Sequence, residues 1–253
     1  MILRTLAFFV SLAAPFALAQ SATAGTHPVV VELFTSQGCS DCPAADRLVV
    51  ELAKRKDVIA LSLPITYWDM LGWKDTFATE SNTKRQKAYA KVMSRSGIYT
   101  PQMIVDGVVD VVGNQRDRVL TAIAARSSQL SSAPSANLSL GLASGRVEIS
   151  IAATQGKIKP LATIWIMRTL SHAAVNVQQG ENKNRQLVYA NLVCDMQRVG
   201  EWTGDAMKID VPVTLGQAKQ DGIAVVLQSN GHGEVLAAAL MPVPSNYLLA
   251  VPR

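Results

Sequence analysis

The sequence predicts an α/β domain that carries a helical insertion, followed by an all-β, sandwich-like domain. A strand-helix-strand succession in residues 28–63 predicts the first part, and alternation of apolar residues after residue 137 predicts the second. A stretch rich in serine, alanine and proline separates the two patterns. With 253 residues, 49% hydrophobic and 17% charged, the chain has enough apolar residues for two ordinary domains.

The first 19 residues have the pattern of a secretory signal peptide. Arg4 is followed by an apolar run that ends in Ala17-Leu18-Ala19, the small-x-small pattern of a cleavage site. An uncleaved membrane anchor is the alternative, but the run is shorter than the roughly 20 residues of a spanning helix. We therefore expect a periplasmic or secreted protein with no membrane span in the mature chain.

Charge gives little support to nucleic-acid binding. Cleavage after residue 19 removes one arginine and no acidic residue, so the net charge falls from +5 to +4 without any dense basic block. The basic residues between Lys84 and Arg95 have helical spacing. They predict a solvated helix face, with partner steering as the alternative.

Residues 27–128 are predicted to form the α/β domain. A β-branched run at 28–34 predicts a buried strand, and apolar residues at spacings of three and four up to Ala53 predict an amphipathic helix that begins at the cysteines. A second buried strand at 58–63 follows. Short connections between these elements imply a parallel pair with a right-handed crossover.

The rest of this domain is predicted to consist of a helical insertion, a hairpin and a closing helix. Residues 67–97 combine an aromatic loop with a polar helical stretch, and Asp106-Gly107 predicts a tight turn between two short strands. Val119 and Ile123 mark the closing helix. Residues 129–136 are predicted to be a linker.

Residues 137–253 are predicted to form the all-β domain. Leu138, Leu140 and Leu142 alternate with small or polar residues, and about six further short apolar runs follow without a convincing helix. Short strands at this spacing are typical of a β-sandwich.

The chemistry of the chain is predicted to lie in one cysteine pair, Cys39 and Cys42. Of three cysteines, these two are separated by only two residues, which indicates a local redox unit. Free N–H groups and the dipole of a helix start stabilise a thiolate, so Cys39 is the predicted nucleophile and Cys42 the resolving thiol. Cys194, in a strand-like run, is predicted to be a small buried apolar residue, with regulatory pairing as the alternative.

The order of these motifs resembles the thioredoxin superfamily. The resemblance rests on Val29 to Cys42 with Pro43, on Thr100-Pro101, and on the hairpin at Asp106-Gly107. It implies a thioredoxin-like fold for the α/β domain. It also implies that Pro101 is cis and lies against the cysteine pair, and that Thr100 offers backbone groups to an extended substrate.

A closer resemblance joins most of the mature chain to one exported bacterial family. Glu32 to Asp46, the Tyr67-Trp68-Asp69 loop and Gly180-Glu181-Asn182 together are similar to domain of unknown function 1223. That family brings no established substrate.

Two departures from thioredoxin itself affect the expected chemistry. The residues between the cysteines are Ser40 and Asp41, and no tryptophan precedes Cys39. An aspartate beside the thiolate raises the pKa of Cys39 by like-charge repulsion, which favours a reducing or intermediate potential.

Three further residues are candidates for the site. Glu32 resembles the buried acid that many thioredoxin-like proteins place under their cysteines; the alternative is an ion pair with Lys54 or Lys56. Trp68 and Asp69 are candidates for a substrate groove, or for residues that fasten the insertion to the core. The three histidines have no ligand spacing, so no metal site is predicted.

The leading prediction is an exported thiol-disulfide oxidoreductase that acts on protein thiols or disulfides without a cofactor. A Cu(I) chaperone is one alternative, since thiolates and eight methionines are suitable ligands. A non-catalytic envelope binding module with a static disulfide is another. The direction of exchange and the oligomeric state are not predicted.

Overall fold

The computed structural model describes residues 28–132, 136–154, 161–212 and 220–244. The predicted signal peptide, residues 1–19, lies outside these ranges. Within the described ranges, no helix is both long and apolar enough to cross a membrane.

Strands and helices both occur before residue 133, and the described elements after it are all strands. The first group is β1 (Val29–Thr35), α1 (Cys42–Leu52), β2 (Val58–Pro64), a 3-10 helix (Asp69–Leu71), α2 (Glu80–Val92), β3 (Gln102–Val105), β4 (Val109–Val112) and α3 (Arg116–Ser132). The second group is β5 (Leu138–Ala143), β6 (Arg146–Ile151), β7 (Ala162–Asn176), β8 (Gln186–Trp202), β9 (Met207–Pro212), β10 (Gly222–Ser229) and β11 (Val235–Pro242).

Eight of these strands form one mixed sheet in the order β11-β10-β7-β8-β2-β1-β3-β4. The junction between the two halves of the chain is a parallel pairing of Ser62 in β2 with Leu192 in β8. Side chains strengthen it, because the Ser62 hydroxyl donates to the carbonyl of Ala190 at 3.0 Å. The Asn191 amide likewise donates to the carbonyl of Ala60 at 3.0 Å.

The predicted fold class is therefore wrong. The chain is mostly β with a large mixed sheet, and not a thioredoxin-like α/β domain with a helical insertion followed by a separate all-β domain. The physical reason is that β2 has a second edge, which the long hairpin of β7 and β8 covers. The last residues of α3, up to Ser132, also occupy part of the stretch 129–136 that was expected to be a linker.

Side chains alternate between the two faces of β1. Val31 and Leu33 pack in a cluster with apolar residues of α1 and α3. Val30 and Phe34 pack on the opposite face with residues of α2, β7 and β10. All seven residues of β1 are buried, as expected for a strand covered on both sides.

The remaining three strands form a small sheet in the order β5-β6-β9. Its inward residues, such as Val147 and Ile149, pack against Ile164 of β7 and Val225 of β10. The small sheet therefore covers the end of the large sheet that is farthest from α1.

The predicted hairpin at Asp106-Gly107 is confirmed. β3 and β4 are antiparallel partners, and both turn residues have positive φ, 49° for Asp106 and 73° for Gly107. The Asp106 carboxylate accepts from the backbone N–H of Val30 at 2.8 Å and pairs with Arg126 of α3. The turn thus fixes β1 and α3 relative to each other.

A buried ion pair connects the two halves on the face opposite α1. Arg85 of α2 donates through Nε to Glu32 Oε1 at 2.5 Å and through Nη2 to the Gln228 amide oxygen at 3.0 Å. Tyr89 donates its hydroxyl proton to Glu32. Burial lowers the pKa of Arg85, but the facing Glu32 carboxylate outweighs this effect and the pKa rises. The charge partner of Glu32 is therefore Arg85, and not Lys54 or Lys56.

We expect Arg85→Met to destabilise the protein by about 3–5 kcal/mol, because it leaves the Glu32 carboxylate buried without its partner. The double variant Glu32→Gln/Arg85→Met removes both charges and is expected to be more stable than Arg85→Met alone. Urea denaturation of the two variants and the wild type measures both quantities. A double variant less stable than the single one would contradict the assignment.

Candidate functional site

Cys39 and Cys42 form a disulfide at the start of α1, with a Cα–Cα distance of 5.4 Å. Cys42 is the first residue of the helix, and Pro43 follows in the first turn, where its missing N–H is no loss. The N–H of Cys42 donates to the carbonyl of Cys39 at 3.3 Å. Cys39 is only 2% exposed and Cys42 is fully buried, whereas Ser40 and Asp41 are exposed.

Pro101 lies beside the first turn of α1. The Thr100–Pro101 peptide bond is cis, as the resemblance to the thioredoxin superfamily implies. A Cβ at Gly113 would lie 3.1 Å from the Ala45 Cβ and 3.2 Å from the Pro101 Cβ. Gly113 therefore lies where Ala45 of α1 and Pro101 meet, and a larger residue would force them apart.

Trp68 connects the cysteine loop to Thr100. Its indole N–H donates to the Thr100 hydroxyl at 2.8 Å. Its backbone and Cβ lie against Gly38, where an added Cβ would approach the Trp68 Cβ to 3.3 Å. The structure thus brings Trp68 and Thr100 together with the cysteine pair.

Asp69 and the residues after it fasten the aromatic loop. Asp69 accepts from the backbone N–H of Asp75 at 3.0 Å, and Asp75 accepts from the backbone N–H of Gln37 at 2.8 Å. Trp73 donates to the Gln37 side chain at 2.8 Å. The Asp69 carboxylate therefore orders the loop, and this loop is tied to the residues that precede Cys39.

A loop from the second half of the chain contacts the backbone around Cys39. The Asn182 amide donates to the carbonyl of Gln37 at 2.9 Å and to that of Cys39 at 2.8 Å. The Glu181 carboxylate accepts from the backbone N–H of Ser40 at 3.2 Å. The sequence predicts an exposed polar loop here, and its contact with the cysteine loop is not predicted.

Glu32 is not brought to the cysteine pair. It lies on β1 with the same orientation as Val30 and Phe34, on the face that α2 covers, whereas α1 covers the other face. Its partners are Arg85 and Tyr89.

Asp46 is a buried acid on the helix that begins at the cysteines, and it is not among the site residues predicted from the sequence. It follows Cys42 by four residues, a spacing that places two side chains on the same face of a helix. Its Oδ1 accepts from the Thr35 hydroxyl at 2.7 Å, while its Oδ2 has no hydrogen-bond partner. Burial raises the pKa of Asp46 to about 8. The Cys-x-x-x-Asp spacing was the signal that could have revealed it.

Asp46 shares its surroundings with two other titratable groups. Burial raises the pKa of Asp75 to about 6, and the charge of Asp75 contributes to the raised pKa of Asp46. Burial also raises the pKa of Tyr189, with further contributions from both aspartates. The exposed Arg47 acts in the opposite direction on Asp46. Asp46, Asp75 and Tyr189 are therefore close enough for the charge of one to influence the pKa of another.

Cys194 is half-buried at the edge of an apolar cluster that includes Leu187 and Tyr189. Burial raises the pKa of its thiol to about 11. Within the described ranges, no three His, Cys, Asp or Glu side chains are grouped as metal ligands would be.

The fold and site define a mostly β protein with a buried disulfide at the start of one helix, enclosed by loops from both halves. The chain belongs to a family of proteins of unknown function, DUF1223, whose profile matches residues 30–228. The recognition of that family from the sequence is confirmed.

Two solved structures are similar. An X-ray structure of a protein from Agrobacterium tumefaciens is 31% identical, with a TM-score of 0.73 over 84% of this chain and 93% of that chain. HBP35 of Porphyromonas gingivalis is 11% identical, with a TM-score of 0.55 over 90% of this chain and 79% of that chain, a likeness of fold alone. The comparison with curated proteins gives no match.

We expect the unfolding free energy to fall as the pH rises from 6.5 to 8, by up to about 1.4 kcal/mol per pH unit. In this window the folded protein keeps a proton on Asp46, with its pKa of about 8, that the unfolded chain has already released. Asp75 and His232, whose folded pKa values are about 6 and about 4, act mainly below it. Urea denaturation across the window measures the slope.

The variant Asp46→Asn is expected to remove this slope. Asp41→Asn, at the exposed N-cap of the same helix, is the matched control and is expected to keep it. An unchanged slope in Asp46→Asn would show that another group titrates.

Proposed function

We propose that this chain is an exported thiol-disulfide oxidoreductase that exchanges disulfides with other proteins through Cys39 and Cys42. The observation that carries the proposal is the disulfide at the start of α1, with Pro101 packed beside the first turn. Helix-start N–H groups stabilise a thiolate at such a position. The likeness to the thioredoxin superfamily rests on this local arrangement and not on the fold as a whole.

The exchange proceeds in two balanced steps. In the reduced protein, the Cys39 thiolate attacks one sulfur of a substrate disulfide, forms a mixed disulfide and releases one substrate thiolate. The Cys42 thiolate then attacks the Cys39 sulfur, forms the Cys39–Cys42 disulfide and releases the second substrate thiolate. Two electrons pass from the pair to the substrate, and the reverse sequence oxidises a substrate dithiol. No cofactor is needed.

Asp46 is suited to move the proton of Cys42. Helical side chains lean toward the N-terminus, so Asp46 extends back over the turn that contains Cys42. Its pKa of about 8 is close to that of an ordinary thiol, the condition under which proton transfer in both directions is efficient. We therefore assign to Asp46 the role that the sequence suggested for Glu32.

The aromatic loop and Thr100 are the substrate contacts that we propose. The Thr100 hydroxyl is already engaged with Trp68, so a substrate strand beside it would use its backbone groups. Met70 and Leu71, on the loop that Trp68 and Trp73 hold against the cysteine loop, are 85% and 61% exposed. Exposed apolar side chains next to a reactive pair suit a partly unfolded polypeptide.

Cys42→Ser is expected to accumulate a covalent complex with a disulfide-containing test protein, because the mixed disulfide on Cys39 has no resolving thiol. Cys39→Ser is expected to form at most a tenth as much, and Cys194→Ser is expected to exchange like the wild type. Non-reducing electrophoresis with mass spectrometry identifies the complex and its linkage. Equal complex formation by Cys39→Ser and Cys42→Ser would contradict the proposed roles.

A static disulfide in a non-catalytic binding module is the second candidate. The observation that favours it is the burial of both cysteines, since an attacking thiolate needs access to a sulfur. In this case the disulfide would stabilise the loop that precedes α1, and the exposed surface around it would bind a partner.

The reduction potential of the pair is expected to lie in the range of about −120 to −270 mV covered by known oxidoreductases, toward its reducing end. Equilibration with dithiothreitol or glutathione, with metal content recorded, measures it. A potential below about −300 mV without bound metal would favour the static disulfide.

A further inference from the structure

The loop at residues 177–185, between β7 and β8, contacts the backbone on both sides of Cys39. Asn182 donates to the carbonyls of Gln37 and Cys39, and Glu181 accepts from the N–H of Ser40. Glu181 and Asn182 come from a part of the sequence about 140 residues away, yet they contact the peptide groups next to the nucleophilic sulfur.

Asn182 anchors this loop firmly. It is fully buried, both amide hydrogens have carbonyl acceptors, and its Oδ1 accepts from the Arg185 guanidinium at 3.1 Å. The backbone around it is also fixed, because the N–H of Val177 donates a hydrogen bond across the loop to the carbonyl of Arg185 at 3.0 Å. An amide that uses both donors and its acceptor has one orientation, so the position of the neighbouring Glu181 is defined.

The Glu181 carboxylate brings a negative charge close to Cys39. It accepts from the backbone N–H of Ser40, the residue between Cys39 and the N-cap Asp41 of α1. When the disulfide is reduced, a thiolate on Cys39 forms beside this carboxylate and beside Asp41. Like charges disfavour the thiolate and hence the reduced state at a pH where the thiolate contributes.

We propose that Glu181, held in place by Asn182, is a positioning residue that sets the redox equilibrium of the Cys39–Cys42 pair toward the disulfide. The inference rests on the proposed function, because it explains how the second half of the chain tunes that site. It also makes a separate claim, since a disulfide has a measurable potential whether or not it exchanges with proteins.

Glu181→Gln tests the charge without removing the acceptor, because the glutamine oxygen can still accept from Ser40. We expect the equilibrium with glutathione at pH 8 to shift toward the dithiol by about two- to fivefold, the size of an exposed charge pair. The thiolate absorbance of reduced Cys39 is expected to titrate at lower pH than in the wild type. Both differences should shrink in 1 M salt, where the Debye length is about 3 Å.

Glu148→Gln, an exposed glutamate on the small sheet, is the matched control and should leave the equilibrium unchanged. Asn182→Ala releases the anchor and should shift the equilibrium in the same direction as Glu181→Gln. The double variant should shift it no further than Glu181→Gln. Urea denaturation verifies that each variant is folded.

The proposal is overturned if Glu181→Gln matches the wild type at both salt concentrations, or if Asn182→Ala and Glu181→Gln shift the equilibrium additively. Failure of the proposed function would give a different experimental result. In that case Cys42→Ser traps no protein, while the effect of Glu181→Gln on the potential is still measured.

Discussion

The pairing of β8 with β2 determines what surrounds the cysteines. It joins the second half of the chain to the edge of the first half through Ser62 and Leu192, with side-chain bonds from Ser62 and Asn191 on either side. From this junction β8 extends back to Gln186, and the loop before it reaches Gln37 and Cys39 through Asn182. Without the junction, the cysteine loop would lose the contacts that cover one side of it.

The buried ion pair between Glu32 and Arg85 connects the two halves of the chain on the sheet face opposite α1. Glu32 from β1 and Gln228 from β10 both accept hydrogen bonds from Arg85 of α2, so three elements must be in place for these bonds to form. A buried ion pair adds little net stability compared with apolar residues, but a misassembled one is costly because a charge remains without its partner. The Arg85–Gln228 hydrogen bond therefore connects β10 to the ion pair between β1 and α2.

The local features of the site could be predicted from the sequence, and the long-range ones could not. The buried strand before the cysteines, the helix that begins at them and the turn at Asp106-Gly107 all follow from residue types within a few positions. The β2–β8 pairing depends on strand edges some 130 residues apart, which periodicity does not identify. For the same reason, the sequence did not show that Glu32 lies away from the cysteine pair. Residue spacing gives its separation from Cys39 along the chain but not the face of β1 on which its side chain lies.

The acidic residues near the two cysteines have different proposed effects. Burial raises the pKa of Asp46 to about 8, and in the proposed chemistry its carboxyl protonates Cys42 when the disulfide opens and takes the proton back when the disulfide forms. Because it serves both directions, Asp46 affects the rate of exchange and not its direction. Glu181 and Asp41 lie at the other end of the pair, beside Cys39, and their charges oppose only the thiolate. In the proposed chemistry this asymmetry favours the disulfide over the dithiol, and so makes the reduced pair a stronger reductant.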